Sequence, residues 1–296
     1  MEKIKRTFGF ILNHPLGKRH PFKAFFRFLI WQLQSGIFSK PIIKSFIPPV
    51  KFYARKGLTG ITGNIYTGLH EFNDMCFLLH FLRPQDVFYD AGANVGSYTL
   101  LASGVCKATS FTIEPVISTF NLLRENIHLN KLDERVSLIN SGAGAKTGVL
   151  NFTSDEDTTN HVIAAADAFD KNVISIPIIT IDSLLDSGQP ALIKIDVEGF
   201  ETEVLKGMIH TLESSLLKTI IIELNGSGLR YGYNENDIHH LLLSKSFKPY
   251  SYDPFTRSLT EELSFGSHNT IYCRDPGFVR DRLKNAKNID VMGELI

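Results

Sequence analysis

Residues 86–97 read Asp-Val-Phe-Tyr-Asp-Ala-Gly-Ala-Asn-Val-Gly-Ser, and the rest of the chain is arranged around them. Val87, Phe88 and Tyr89 form a short apolar run that ends in the acid Asp90, the pattern of a buried strand in a parallel sheet. Gly92, Asn94 and Gly96 follow, and Tyr98, Thr99, Leu100 and Leu101 begin a helix. A glycine turn between strand and helix lets a ligand approach the backbone where a β-carbon would block it. The helix N-terminus adds free N–H groups at the same place. The next strand, Ala108 to Ile113, ends in Glu114, eighteen residues past Gly96. An acid at that spacing can accept from two ribose hydroxyls.

The turn therefore suits a nucleotide-like ligand, and its pattern narrows which one. A dinucleotide fingerprint reads G-x-G-x-x-G and leaves room for a pyrophosphate. This chain reads D-x-G-x-N-x-G, with Asp90 where the phosphates would sit. A carboxylate repels a pyrophosphate but accepts from an ammonium, and S-adenosylmethionine carries an ammonium and no phosphate. Asp90, Gly92, Asn94, Gly96 and Glu114 are the candidate cofactor-binding residues.

Three stretches, DAGANVGSYTLLAS, FTIEPVISTFNLLRENIHLN and IKIDVEGFETEVLKG, resemble the FkbM-type S-adenosylmethionine-dependent methyltransferases. The match spans residues 64–275, and the third stretch is the most specific. Ala91 stands where the family often has valine. The resemblance implies an α/β class I methyltransferase (Rossmann-like) fold: a mostly parallel sheet with an antiparallel C-terminal hairpin. It also implies O-methylation of a hydroxyl on a sugar, glycan or other natural product, hence a small-molecule or glycan acceptor. In this fold the end of the third strand borders the adenine, so Asn140 and Ser141 are candidate adenine contacts. Tyr66, His70 and Glu71 lie near where such enzymes cover the cofactor, and Tyr66 joins the candidate set.

Composition is that of an ordinary soluble globular protein: 43% hydrophobic, 21% charged and a formal net charge of zero over 296 residues. Nothing in the overall charge favours nucleic acid. Cys76, Cys106 and Cys273 are scattered, which argues against a disulfide framework and a zinc site and for a reducing, cytoplasmic setting. Three divisions are expected: a helical N-terminal extension over 1–63, a methyltransferase domain over 64–275 and a helical tail over 276–296. Lys3, Lys5 and Arg6 precede Phe8, Phe10, Ile11 and Leu12, but the apolar run is too short and interrupted for a signal peptide. Residues 22–33 are aromatic and hold Lys23 and Arg27, too short and charged to span a bilayer. Residues 1–35 either pack on the catalytic domain or make peripheral contact with the inner face of a membrane; packing is the expectation.

Further along, helices are expected near 72–82, 116–129, 200–212 and 235–246, and strands at 135–139, 191–195 and 219–224. Residues 148–180 break the alternation. They read as a β excursion with a loop over the site, and Pro177 points to an edge strand within it. Asp196 and His161 are the candidate catalytic bases, since a hydroxyl must lose its proton as it attacks. Asp196, Glu223 and Asn225 form an alternative hard-oxygen set for Mg²⁺. Two competing functions are a nicotinamide-dependent oxidoreductase, which lacks its glycine pattern and a Tyr-x-x-x-Lys pair here, and a non-catalytic cofactor-binding, membrane-associated protein.

Overall fold

The computed structural model describes residues 2–38, 40–153, 162 and 173–296. Its centre is an eight-stranded sheet of β1 (Val87–Ala91), β2 (Thr109–Ile113), β3 (Val136–Ile139), β4 (Leu192–Ile195), β5 (Thr219–Glu223), β6 (Lys248–Asp253), β7 (Ser258–Glu261) and β8 (Asn269–Cys273). In space the order is β7-β6-β8-β5-β4-β1-β2-β3. β1 to β5 run parallel, and β8 runs antiparallel to β5, β6 to β8 and β7 to β6. The antiparallel C-terminal pairing that the resemblance implies is present as β6 on β8, with Tyr250 opposite Ile271. β7 is an additional edge strand that the alternation of its four residues, Ser258–Glu261, was too short to announce.

The central strands are apolar on both faces because helices cover both. Phe88, Leu192 and Ile221 point into one core, whereas Tyr89, Ile193, Ile220 and Ile222 point into the other. This is the period-two alternation of a strand buried on each side. The helices Phe72–Phe81 and Ile117–Leu129 cover the first face, and Glu201–Lys206 and Glu235–Ser244 the second. The direction of strand succession reverses between β1 and β4, so a crevice opens at their carboxyl ends.

Several expectations need correction. The helix over 200–212 is two helices, Glu201–Lys206 and Ile209–Glu213, broken at Gly207. A β-carbon on Gly207 would stand 2.0 Å from the carbonyl oxygen of Gly144, so the helix lies directly against the backbone of the excursion. Within that excursion Val173–Ile179 is the central strand of a three-stranded sheet, not an edge, between Gly142–Ala143 and Gly148–Thr153. Pro177 is tolerated because Gly142–Ala143 reaches only Ile178 and Ile179, so its missing N–H falls where one neighbour is absent.

The N-terminal region contains a long helix, Pro21–Ile37, and an antiparallel hairpin of Ile42–Ser45 with Lys51–Ala54, besides shorter helices. Its helix Thr59–Thr67 runs through residue 63, and one apolar cluster holds Leu16, Phe28 and Trp31 together with Phe72, Leu78 and Leu101. The expected packing on the domain is therefore met by the inward side chains. The tail is a helix, Pro276–Lys284, followed by a small hairpin of Asp290–Val291 with Glu294–Leu295, rather than helix alone. No helix among the described residues is long and apolar enough to cross a membrane.

Candidate active site

The loop after β1 owes its path to Gly92. Its φ is +85°, and an added β-carbon would stand 1.8 Å from the carbonyl oxygen of Asp196. Only glycine lets the loop lie on the end of β4. Gly92 and Ala93 both donate their N–H to the carbonyl of Ile113, and Asp196 donates its N–H to Ala91, each at 3.0 Å. The ends of β1, β2 and β4 are thus tied together at the crevice. Asn94 is left-handed at φ 51° and turns its own N–H onto Glu114 Oε2 at 3.0 Å, while Val116 N–H reaches Oε1 at 2.9 Å. Burial outweighs these two donors and pushes the Glu114 carboxyl up to about 7. Asp90 is buried beside it and accepts from the Thr99 hydroxyl at 2.6 Å. Burial raises its pKa to about 6, against the pull of Thr99 and Lys194.

Across the crevice, β4 carries a lysine inside an otherwise apolar strand. Lys194 Nζ donates to Asp196 Oδ2 at 3.0 Å and to Asn269 Oδ1 at 2.9 Å. Burial favours its neutral form, but Asp196, Glu71 and Glu223 outweigh it and hold the ammonium protonated above its usual range. The turn that follows is strained: Glu198 is left-handed at φ 55°, and Glu201 Oε1 accepts from Val197 N–H at 3.1 Å and Gly199 N–H at 3.2 Å. The strain presents the Glu198 side chain to the same space as Asp196 and Glu223. Carboxylate oxygens of these three lie within 4.8 Å of one another. Burial and Asp196 push Glu198 up to about 7 and raise Glu223 as well.

One cavity is lined by Asp90, Gly92, Asn94, Glu114, Asp196 and Glu223, so half of the sequence candidates converge. Gly96 serves it indirectly, starting the next helix at φ +92° against Leu123. Four candidates lie elsewhere. Asn140 donates to the carbonyls of Glu114 and Pro115 at 2.9 Å, bracing the loop after β2, and Ser141 is buried beside it. The residues that reach the cavity are the next two, Gly142 and Ala143. Tyr66 packs on Phe28 and accepts from Gln32 at 3.3 Å, in a separate cavity under the N-terminal helices. Asn225 Oδ1 accepts from Ser227 N–H at 2.9 Å and does not line the cavity, whereas Glu198 does and lies close to Asp196 and Glu223. His161 lies outside the described residues.

His70 and Glu71, expected near the cofactor cover, line the cavity, and so do Lys194 and Glu198, which were not among the candidate site residues. Lys194 had a signal, since a charged residue inside a wholly apolar strand needs a partner. Glu198 had a weaker one, the acid–glycine pair at a strand end.

The domain model of the methyltransferase FkbM family matches residues 90–249. The chain belongs to this family. Hexuronic acid methyltransferase AglP of Haloferax volcanii is 31% identical over 170 residues, 56% of this chain and 64% of that protein. The chain thus matches less than two thirds of that relative's length. Among solved structures, the methyltransferase FkbM of Methylobacillus flagellatus is similar with TM-score 0.46 and 18% identity over 72% of this chain and 52% of the other. Precorrin-6y C5,15-methyltransferase of Geobacter metallireducens follows with TM-score 0.42 and 14% identity over 75% and 93% of the two chains. The FkbM match begins at Asp90, so it covers the loop, Glu114 and the carboxylate cluster in one span.

Proposed function

We propose that this FkbM-family chain is an S-adenosylmethionine-dependent O-methyltransferase whose acceptor is a hydroxyl on a sugar. The observation that carries the reading is the division of one cavity into two acidic halves: Asp90 and Glu114 on one side, and Asp196, Glu198 and Glu223 with Lys194 on the other. The residues present fit the cofactor. Glu114 is fixed by two backbone N–H groups and keeps lone pairs for ribose hydroxyls, Asp90 offers a carboxylate to an ammonium, and Ile113, Val116 and Ala143 give an apolar wall for a base. When bound, S-adenosylmethionine supplies an electrophilic methyl group on a sulfonium.

The chain's own residues supply position and proton transfer. Asp196 is the base that takes the hydroxyl proton, and Lys194 keeps that carboxylate oriented. Burial and Asp196 raise Glu198 and Glu223, so that in their protonated forms they can donate to acceptor oxygens. The Lys194 ammonium already provides the positive charge at Asp196, so no divalent ion is needed there. The substrate in the relative's name, a hexuronic acid, supports a sugar acid as the first acceptor class to try.

The test is transfer of labelled methyl from S-adenosylmethionine to a uronic acid and to the matching neutral hexose. An alkali-stable methyl ether is the expected product. An alkali-labile ester would put the methyl on the sugar carboxylate and leave Asp196 no proton to take. Transfer to no saccharide would overturn the acceptor class.

A further inference from the structure

We propose that the outward face of the helix Pro21–Ile37 is a docking surface for an anionic lipid bilayer, independently of the methyl-transfer reading. The helix is buried on one side only, through Ala24, Phe28 and Trp31. The opposite side carries Phe22, Phe26, Leu29, Leu33 and Ile37, spaced by four, three, four and four residues, so they form one stripe. These side chains are open to solvent: Phe22 is 88% exposed, Phe26 63%, Leu33 66% and Ile37 75%. An outward helix face is ordinarily polar, and a continuous apolar stripe five side chains long marks a contact surface. Phe38, also exposed, extends the stripe at its end.

Charge identifies the partner. Residues 1–63 contain twelve lysines and arginines and one acid, Glu2, a formal charge of +11. The whole chain is neutral, so residues 64–296 carry −11. The protein is thus split into a basic end that bears the apolar stripe and an acidic end that bears the cavity. Exposed Lys23 adjoins Phe22 at the start of the stripe, and exposed Lys40 follows its end. An apolar face flanked by lysines, on a helix too short and charged to cross, fits a helix lying in the interface plane of a negatively charged membrane.

The experiment is co-sedimentation of the full chain with vesicles of phosphatidylcholine and phosphatidylglycerol at about 3:1, against pure phosphatidylcholine. The chain should sediment with the anionic vesicles and be released as salt rises and screens the lysines. Phe26→Glu with Leu33→Glu, both on the exposed face, should lower partitioning at least about tenfold while leaving S-adenosylmethionine affinity and melting temperature unchanged. Absence of vesicle binding, or equal binding by the double variant, overturns the proposal. So does a concentration-dependent dimer in vesicle-free solution that the double variant dissolves, which would assign the face to a second copy.

Discussion

Asp196 joins the two halves of the cavity: its carbonyl oxygen seats Gly92 and its carboxylate holds Lys194. Asp196→Asn preserves shape and removes the base. We expect the variant to fold and bind S-adenosylmethionine but to lose at least about a hundredfold in turnover, the low end for general acid–base catalysis. Turnover at the wild-type rate would make the residue structural. Because Lys194 supplies the cation, EDTA should leave wild-type turnover unchanged; loss of activity restored by Mg²⁺ would move Asp196, Glu198 and Glu223 to a ligand role. Lys194→Met should be the harsher change for folding, since it leaves Asp196 and Asn269 without their shared donor. Which of these residues face the site was only partly legible beforehand. Asp90 and Glu114 follow from strand ends and spacing, whereas Glu198 depends on a left-handed backbone at 198 that no periodicity encodes. Asn140 and Ser141 stand just short of the cavity lining, because a turn's side-chain directions are not set by a regular repeat.

The glycine turn and the broken helix behind it answer to sterics more than to propensity. Gly207 caps the end of the Glu201–Lys206 helix at φ −89°, a backbone that alanine also adopts, so conformation alone does not demand glycine there. An alanine β-carbon would meet the Gly144 carbonyl at 2.0 Å, and overpacking against backbone costs roughly 1–3 kcal/mol. Urea unfolding of Gly207→Ala should therefore show net destabilisation; a gain in stability would mean that the helix and the excursion can separate. The parallel strands were legible because short stretches rich in apolar and β-branched residues each lead to an acid or asparagine. The central place of Val173–Ile179 was not, because Pro177 signals an edge and only the shortness of Gly142–Ala143 removes the conflict. The Pro21–Ile37 helix was blurred by its two apolar faces, which defeat a one-face periodicity.

Taken whole, the molecule concentrates buried carboxyls at one crevice, and this makes its stability depend on pH and ligand together. Asp90, Glu114 and Glu198 have folded pKa values raised to about 6, 7 and 7 by burial. The folded state therefore binds protons more tightly than the unfolded chain. Their contribution to stability is complete below the ordinary carboxyl range and is lost as pH rises through 6 to 7. Scanning calorimetry of the ligand-free protein should show the melting temperature falling between roughly pH 4 and 7. S-adenosylmethionine, a cation, should reverse the fall and release protons on binding; a melting temperature that rises over this range would contradict the burial of these groups in protonated form. The mostly parallel sheet with a site at its strand ends was the part of the whole most legible from sequence, through the family resemblance, and the split of charge between the two ends the least, since the total is zero. The most direct measurement is titration calorimetry of the wild type and Glu114→Gln with S-adenosylmethionine, with NAD as the control. We predict saturable binding of S-adenosylmethionine, none of NAD, and affinity weakened by about ten- to hundredfold in Glu114→Gln, the worth of a hydrogen bond to a charged acceptor. Binding of NAD in its place, or equal affinity of both proteins for S-adenosylmethionine, would contradict the assignment of this crevice.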